Sequence, residues 1–82
     1  MELLGGIKMK QIHMIMETET HHKQWGAELN GSLVSTAWGR IGAEKLQSQT
    51  KSFGNPIDAE KFFVKKVKEK TAKGYVLVSK NW

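Results

Sequence analysis

Trp38, Gly39 and Arg40 form the stretch of this chain in which residue types and spacing suggest a chemical task. An exposed indole offers a flat face on which a base or a sugar stacks, worth roughly 1 to 3 kcal/mol per base. A guanidinium two residues further along the same strand face takes a phosphate through paired hydrogen bonds. Gly39 between them would leave the strand surface bare, so that a ligand backbone could approach closely. The same residues admit a second reading, in which Trp38 fills the core beneath a helix and Arg40 is a solvated cation at a strand end. Arg40 is the sole arginine among thirteen Lys plus Arg, and arginine differs from lysine most where planar bidentate recognition matters. Lys23, Lys45 and Lys51 lie in segments that hairpins would bring toward it, giving a basic patch with an aromatic centre.

Other chemistries lack their residues. No Gly-rich loop precedes a helix, no histidine pair stands at helical spacing with a glutamate, and no acid pair sits in an apolar setting. His21 and His22 are adjacent, so their side chains diverge, and no third ligand stands at a suitable spacing. His13, between Ile12 and Met14, reads as a residue on a partly exposed strand face. With zero cysteines there is no thiol nucleophile, thiolate zinc site or disulfide framework. The expectation is a nonenzymatic chain with no cofactor and no metal.

The elements that must position Trp38 and Arg40 follow from periodicity. Ile7 to Glu17 reads as a first strand, and Lys23 to Leu29 alternates, with Trp25, Ala27 and Leu29 on one face. Asn30-Gly31 predicts a two-residue hairpin turn of type I′. The return strand, Ser32 to Arg40, sets Val34, Thr36, Trp38 and Arg40 on a common face. Lys45 to Phe53 is a polar strand with one face to water. Asn55 then caps a helix, Pro56 occupies its first turn, and Ala59, Phe62, Phe63 and Val67 form its apolar stripe. Lys61, Lys65 and Lys68 fall on its outer side, Gly74 closes it, and Tyr75 to Ser79 is a short apolar final strand. These elements predict an α+β fold: a small antiparallel sheet of four to five strands with one helix packed across one face.

Eighty-two residues allow one small domain, expected to occupy 1–82. Hydrophobic residues at 39% and charged residues at 26% place it among folded chains. A formal charge of +5 and a pI near 9.6 favour polyanionic partners, although a basic balance also serves solubility. Lys8, Lys10, Gln11 and His13 interrupt the apolar start, so no signal-peptide core is expected, and no run of apolar residues is long enough to span a membrane. A cytoplasmic location without membrane attachment is the resulting expectation.

Trp38-Gly39-Arg40 also resembles the signature of the WGR domain family. The likeness continues through Ile41-Gly42, Lys51-Ser52-Phe53, Ala59 and Phe63 on the helix, Glu69-Lys70-Thr71, and Lys73-Gly74-Tyr75, an ordered series spanning roughly residues 23–76. Two places depart from the pattern. His21-His22-Lys23-Gln24-Trp25 keeps only the lysine and tryptophan of a Ser-Asn-Lys-Phe-Trp-like stretch, and Lys45-Leu46-Gln47 lacks the glycine of a Gly-Gln element. The resemblance implies a nonenzymatic module of the kind found in DNA-damage-responsive poly(ADP-ribose) polymerases and in bacterial proteins similar to molybdate metabolism regulators. In the polymerases the motif's tryptophan lies against the terminal sugar at a strand break, and its arginine contacts DNA and a neighbouring domain. Those roles would fall here on Trp38 and Arg40; the polymerase's catalytic activity would not carry over.

Residue reading and resemblance together make Trp38, Arg40, Lys45 and Lys51 the expected nucleic-acid-binding residues. The expected partner is nucleic acid, DNA in the first instance, as ends or single strands read without strong sequence specificity. The alternative is a protein–protein interaction module in a bacterial regulatory or repair complex, since Trp and Arg also dominate interface hot spots.

Overall fold

Alternating burial organises the first part of the chain. In the computed structural model, which describes residues 9–81, strands β1 (Met9–Glu17), β2 (His22–Asn30), β3 (Leu33–Arg40) and β4 (Gln47–Ser52) are followed by helix α1 (Pro56–Lys73) and strand β5 (Val76–Asn81). All five strands form one antiparallel sheet in the order β4-β3-β2-β1-β5. The α+β expectation therefore holds, with five strands and one helix across one face. Ile7 and Lys8, the start of the expected first strand, lie outside the described residues.

The period of two sends Ile12 and Met14 of β1, Trp25, Ala27 and Leu29 of β2, and Val34 of β3 to the same side of the sheet. Helix α1 covers that side with Ala59 and Phe63, both essentially inaccessible at 0% and 1% exposure. Phe62 and Val67 flank them half-buried. Among the described residues no helix covers the remaining face of the sheet, and polar side chains pair along it. Gln11 donates to Glu28 at 2.8 Å, and the Ser35 and Thr50 hydroxyls meet at 3.0 Å.

Helix α1 begins and ends where local chemistry dictates. The Asn55 side chain accepts from the Asp58 N–H at 2.8 Å, and Pro56 follows in the first turn, where no N–H is needed. At the other end Gly74 adopts φ 109°. Its N–H donates to Thr71, and the Tyr75 N–H donates to Lys70, a paired closure that buries Tyr75 against the core.

Three elements differ from the sequence reading. Asn30 pairs with Leu33, so the β2–β3 loop is Gly31-Ser32, not Asn30-Gly31. Gly31 has φ 62°, and among the described residues no other residue type adopts positive φ. That is the pattern of a type II′ turn, which needs glycine only at its first central position, in place of the expected type I′. The polar strand starts at Gln47, leaving Lys45 in the β3–β4 connection. The final strand runs Val76–Asn81 in place of the expected Tyr75 to Ser79; it is an edge beside β1, and Val76, Leu77 and Val78 remain 52–58% exposed. Its register shifts between His13 and Met14, the irregularity that commonly twists an edge away from further pairing. Among the described residues no helix is long and apolar enough to cross a membrane.

Candidate functional site

Strand pairing sets the two tryptophans opposite one another. Trp25 and Trp38 are partners across β2 and β3, and Lys23 and Arg40 are the partners two residues further along, on the same helix-facing side. Trp25 is 3% exposed, whereas Trp38 is half-buried at the rim of the core. One part of Trp38 thus packs against the core, and another lines a cleft.

The cleft, about 210 Å³, lies between α1 and strands β2–β4; Trp25, Trp38, Phe62, Lys51, Lys66 and Lys70 line it. Its lysines lie over aromatic rings. The Lys51 ammonium is 4.9 Å from the Phe62 ring centre, and that of Lys66 is 5.5 Å from the same ring. Lys70 sits 5.8 Å from Trp25 and 5.4 Å from Tyr75. Ring faces attract cations at these distances and hold the ammonium groups along the cleft. Burial pushes the Lys70 ammonium below the ordinary lysine value; Lys73 and Lys66 push it the same way, Glu69 partly opposes them, and Lys23 adds to the repulsion. A bound anion would relieve this crowding of positive charge.

Arg40 ends β3 two residues beyond Trp38 on the same face, outside the lining of the cleft, and its backbone is fixed there. Its carbonyl accepts from the Ala43 N–H at 3.1 Å and from the Gln24 side-chain amide at 3.0 Å. The Gln24 amide oxygen is in turn 3.1 Å from His13 Nε2, and the Ile41 N–H donates to the His22 carbonyl at 2.9 Å. Residues 40–43 close a turn with Gly42 at φ 86°, the left-handed conformation that a type II turn demands at its third residue. The spacing from Arg40 to Gly42 thus has a backbone cause. The Arg40 side chain itself is exposed.

Gly39 serves a different purpose from the one expected. It lies on the face opposite Trp38, and a Cβ there would come within 2.9 Å of Leu46 Cδ2. The β3–β4 connection folds back over Gly39, so Gly39 makes room for Leu46, and no bare surface is left there for a ligand.

The four expected binding residues do not form one cluster. Trp38 and Arg40 share a face, with Lys23 beside Arg40. Lys51 pairs with Val34, four positions along β4 from the Gln47 opposite Trp38, which is about 13 Å of strand. Its side chain nevertheless reaches the cleft that Trp38 lines. Lys45 sits exposed in the connection before β4 and lines no part of that cleft. Sequence reading did not single out Lys66, Lys70, Phe62 or Trp25 as lining residues. Phe62, Lys66 and Lys70 stand at i, i+4 and i+8, a row that starts on the apolar stripe at Phe62 and continues as lysines, and that spacing was the available signal. Among the described residues no three His, Cys, Asp or Glu groups are placed to hold a metal ion.

The chain is 39% identical over 69 residues to Protein YehF of Escherichia coli, covering 84% of this chain and 25% of that protein. A crystallised protein of Bacteroides fragilis superposes with a TM-score of 0.79 at 30% identity, over 84% of this chain and 19% of its own. The chain thus spans about a quarter or less of either relative. The WGR domain model matches residues 10–81, beyond both ends of the 23–76 span that carries the motif series. With Trp38-Gly39-Arg40 at the end of β3 and nearly the whole chain matched, the chain belongs to the WGR domain family.

Proposed function

We propose that this chain is a nonenzymatic cytoplasmic module that binds nucleic acid, DNA ends or single-stranded stretches, with little sequence specificity. The observation that carries this reading is the cleft in which Trp38 lies beside Lys51, Lys66 and Lys70, with Arg40 exposed two residues further along the same strand face. A half-buried indole at a cleft rim can stack a base or terminal sugar without surrendering its hold on the core. Cations held over aromatic rings meet the phosphates on either side of that base. Arg40 grips a phosphate from the turn, with Lys23 adding charge beside it. Lys45 and the solvated lysines supply a diffuse field that concentrates the polyanion.

The indole and the cations address base face, sugar and phosphate, contacts that carry no sequence information and accord with weak sequence preference. With three to four phosphates neutralised, log K should fall with log[salt] at a slope near −3 on duplex DNA. Fluorescence-anisotropy titrations with single-stranded, blunt duplex and nicked DNA at two salt concentrations test the proposal. Saturable, salt-dependent binding that Arg40→Ala weakens is expected. Flat curves for all three DNAs at low salt, or affinity and slope unchanged in the Trp38→Ala/Arg40→Ala double variant, would overturn it.

A further inference from the structure

The outward face of α1 carries a second surface that the cleft does not use. Ile57, Lys61, Val64, Lys68 and Ala72 follow one another at steps of four, three, four and four, a single stripe about 22 Å long. Ile57 is 67% exposed and Val64 38% exposed. Two branched aliphatic residues so placed contribute nothing to the core, and they stand among three lysines, Lys61, Lys65 and Lys68, all exposed.

The acids of this face are already engaged. Glu60 accepts from Lys10 at 2.6 Å, and Glu69 lies 3.4 Å from Lys66. Among the described residues Lys61, Lys65 and Lys68 have no ion-pair partner. The face is therefore an aliphatic stripe with unbalanced positive charge along it. At 100° per residue Lys61 lies about 140° around the helix from Lys66, so the stripe is turned away from the cleft.

We infer that this face docks an acidic amphipathic helix of a partner protein. The side chains call for both halves of that description. Ile57 and Val64, seven residues apart, suit apolar knobs from a helix lying nearly along α1. Lys61, Lys65 and Lys68 suit Asp or Glu flanking those knobs, a complementarity that fixes register and excludes basic partners. Nucleic acid fits less well, because branched aliphatics give a phosphate no donor and a base no flat ring. A lipid surface fits less well too, since interfacial binding scales with apolar area and two aliphatic side chains supply little. The surface is separate from the cleft, so this inference stands or falls independently of nucleic-acid binding.

The test uses the ¹⁵N-labelled chain and a short designed amphipathic helix with leucines at its a and d positions and glutamates beside them. Its controls are the same peptide with Glu→Gln throughout and vesicles of phosphatidylglycerol and phosphatidylcholine. Saturable amide shifts confined to the outward residues between Ile57 and Ala72 are expected. The Ile57→Ser/Val64→Ser variant should weaken binding about tenfold or more. The Lys61→Gln/Lys65→Gln/Lys68→Gln variant should weaken it and flatten its salt dependence, and a thermal melt of each variant checks that the fold is kept. Shifts centred on Trp38, Lys66 and Lys70, equal binding of the Glu→Gln peptide, or no saturation would overturn the inference. Vesicle binding through the same residues without peptide binding would overturn it in favour of a lipid surface.

Discussion

Two rows of lysines run along α1 in different surroundings. Lys66 and Lys70 lie half-buried toward β4, over Phe62, Trp25 and Tyr75, and burial first, then the charges of Lys73 and Lys66, make Lys70 a poorer base. Lys61, Lys65 and Lys68 stand exposed on the other side, beside Ile57 and Val64. The residue type and the helix are the same in both rows; the neighbours differ. A lysine held over aromatic rings at a cleft is positioned for an anion, whereas a lysine flanking aliphatic side chains is positioned for an acidic protein surface. Net charge alone distinguishes neither from a merely solvated face.

The strongest break in this contrast is removal of its common support. Phe63 lies beneath both rows at 1% exposure, and Phe63→Ala should cost about 3 to 5 kcal/mol in urea unfolding. Both surfaces should then be lost together, which separates loss of fold from loss of a site.

A more selective break is Trp38→Ala, expected to weaken DNA binding by roughly 1 to 3 kcal/mol in anisotropy titrations. Because Trp38 also flanks the core, Trp38→Phe sharpens the reading. It should recover most of the stability and part of the stacking. Peptide binding on the outer face of α1 should be unaffected by either change.

Lys70→Met removes one charge and keeps the aliphatic stem. The fold disfavours the charged form of Lys70, so between its lowered pKa and the ordinary 10.5 the unfolded chain binds more protons. Stability contributed by this group therefore rises with pH through that window, and Lys70→Met should abolish the rise in thermal melts taken along an alkaline series. At neutral pH its melting temperature should equal or exceed that of the parent. Its DNA salt slope should fall in magnitude by about one.

The smallest expected effect is at Gly39. Gly39→Ala asks only the flexible end of Leu46 to move, so a stability loss below about 1 kcal/mol is expected, with DNA affinity retained. A large loss of DNA affinity without loss of stability would restore the idea that a ligand approaches the strand there.

What was legible in the sequence was local chemistry. Asn55, Pro56 and Gly74 mark the ends of α1 because capping bonds are made within a few residues. Alternation alone sets Trp38 and Arg40 on one face. The β2–β3 turn was misread because Asn-Gly and Gly-Ser both satisfy a two-residue hairpin, and cross-strand register decides between them. The position of β5 beside β1 was not legible, since it depends on where α1 returns the chain across the sheet. The cleft was half legible for the same reason. Phe62, Lys66 and Lys70 share a row in the sequence, but which flank of the helix faces β4 is settled only by packing. Lys51 and Lys45, paired as one polar strand in the sequence, part company because β4 begins only at Gln47.

The most direct test of the central claim compares two triple variants on the same nicked and single-stranded DNA. Lys51→Gln/Lys66→Gln/Lys70→Gln should reduce the salt slope from near −3 to about −1 and weaken binding, while Lys61→Gln/Lys65→Gln/Lys68→Gln should leave the slope within about one of the parent. Equal losses from both triples would mean that DNA senses only the overall charge of the helix. A loss confined to the outer triple would place the nucleic-acid surface on the opposite side and contradict the cleft.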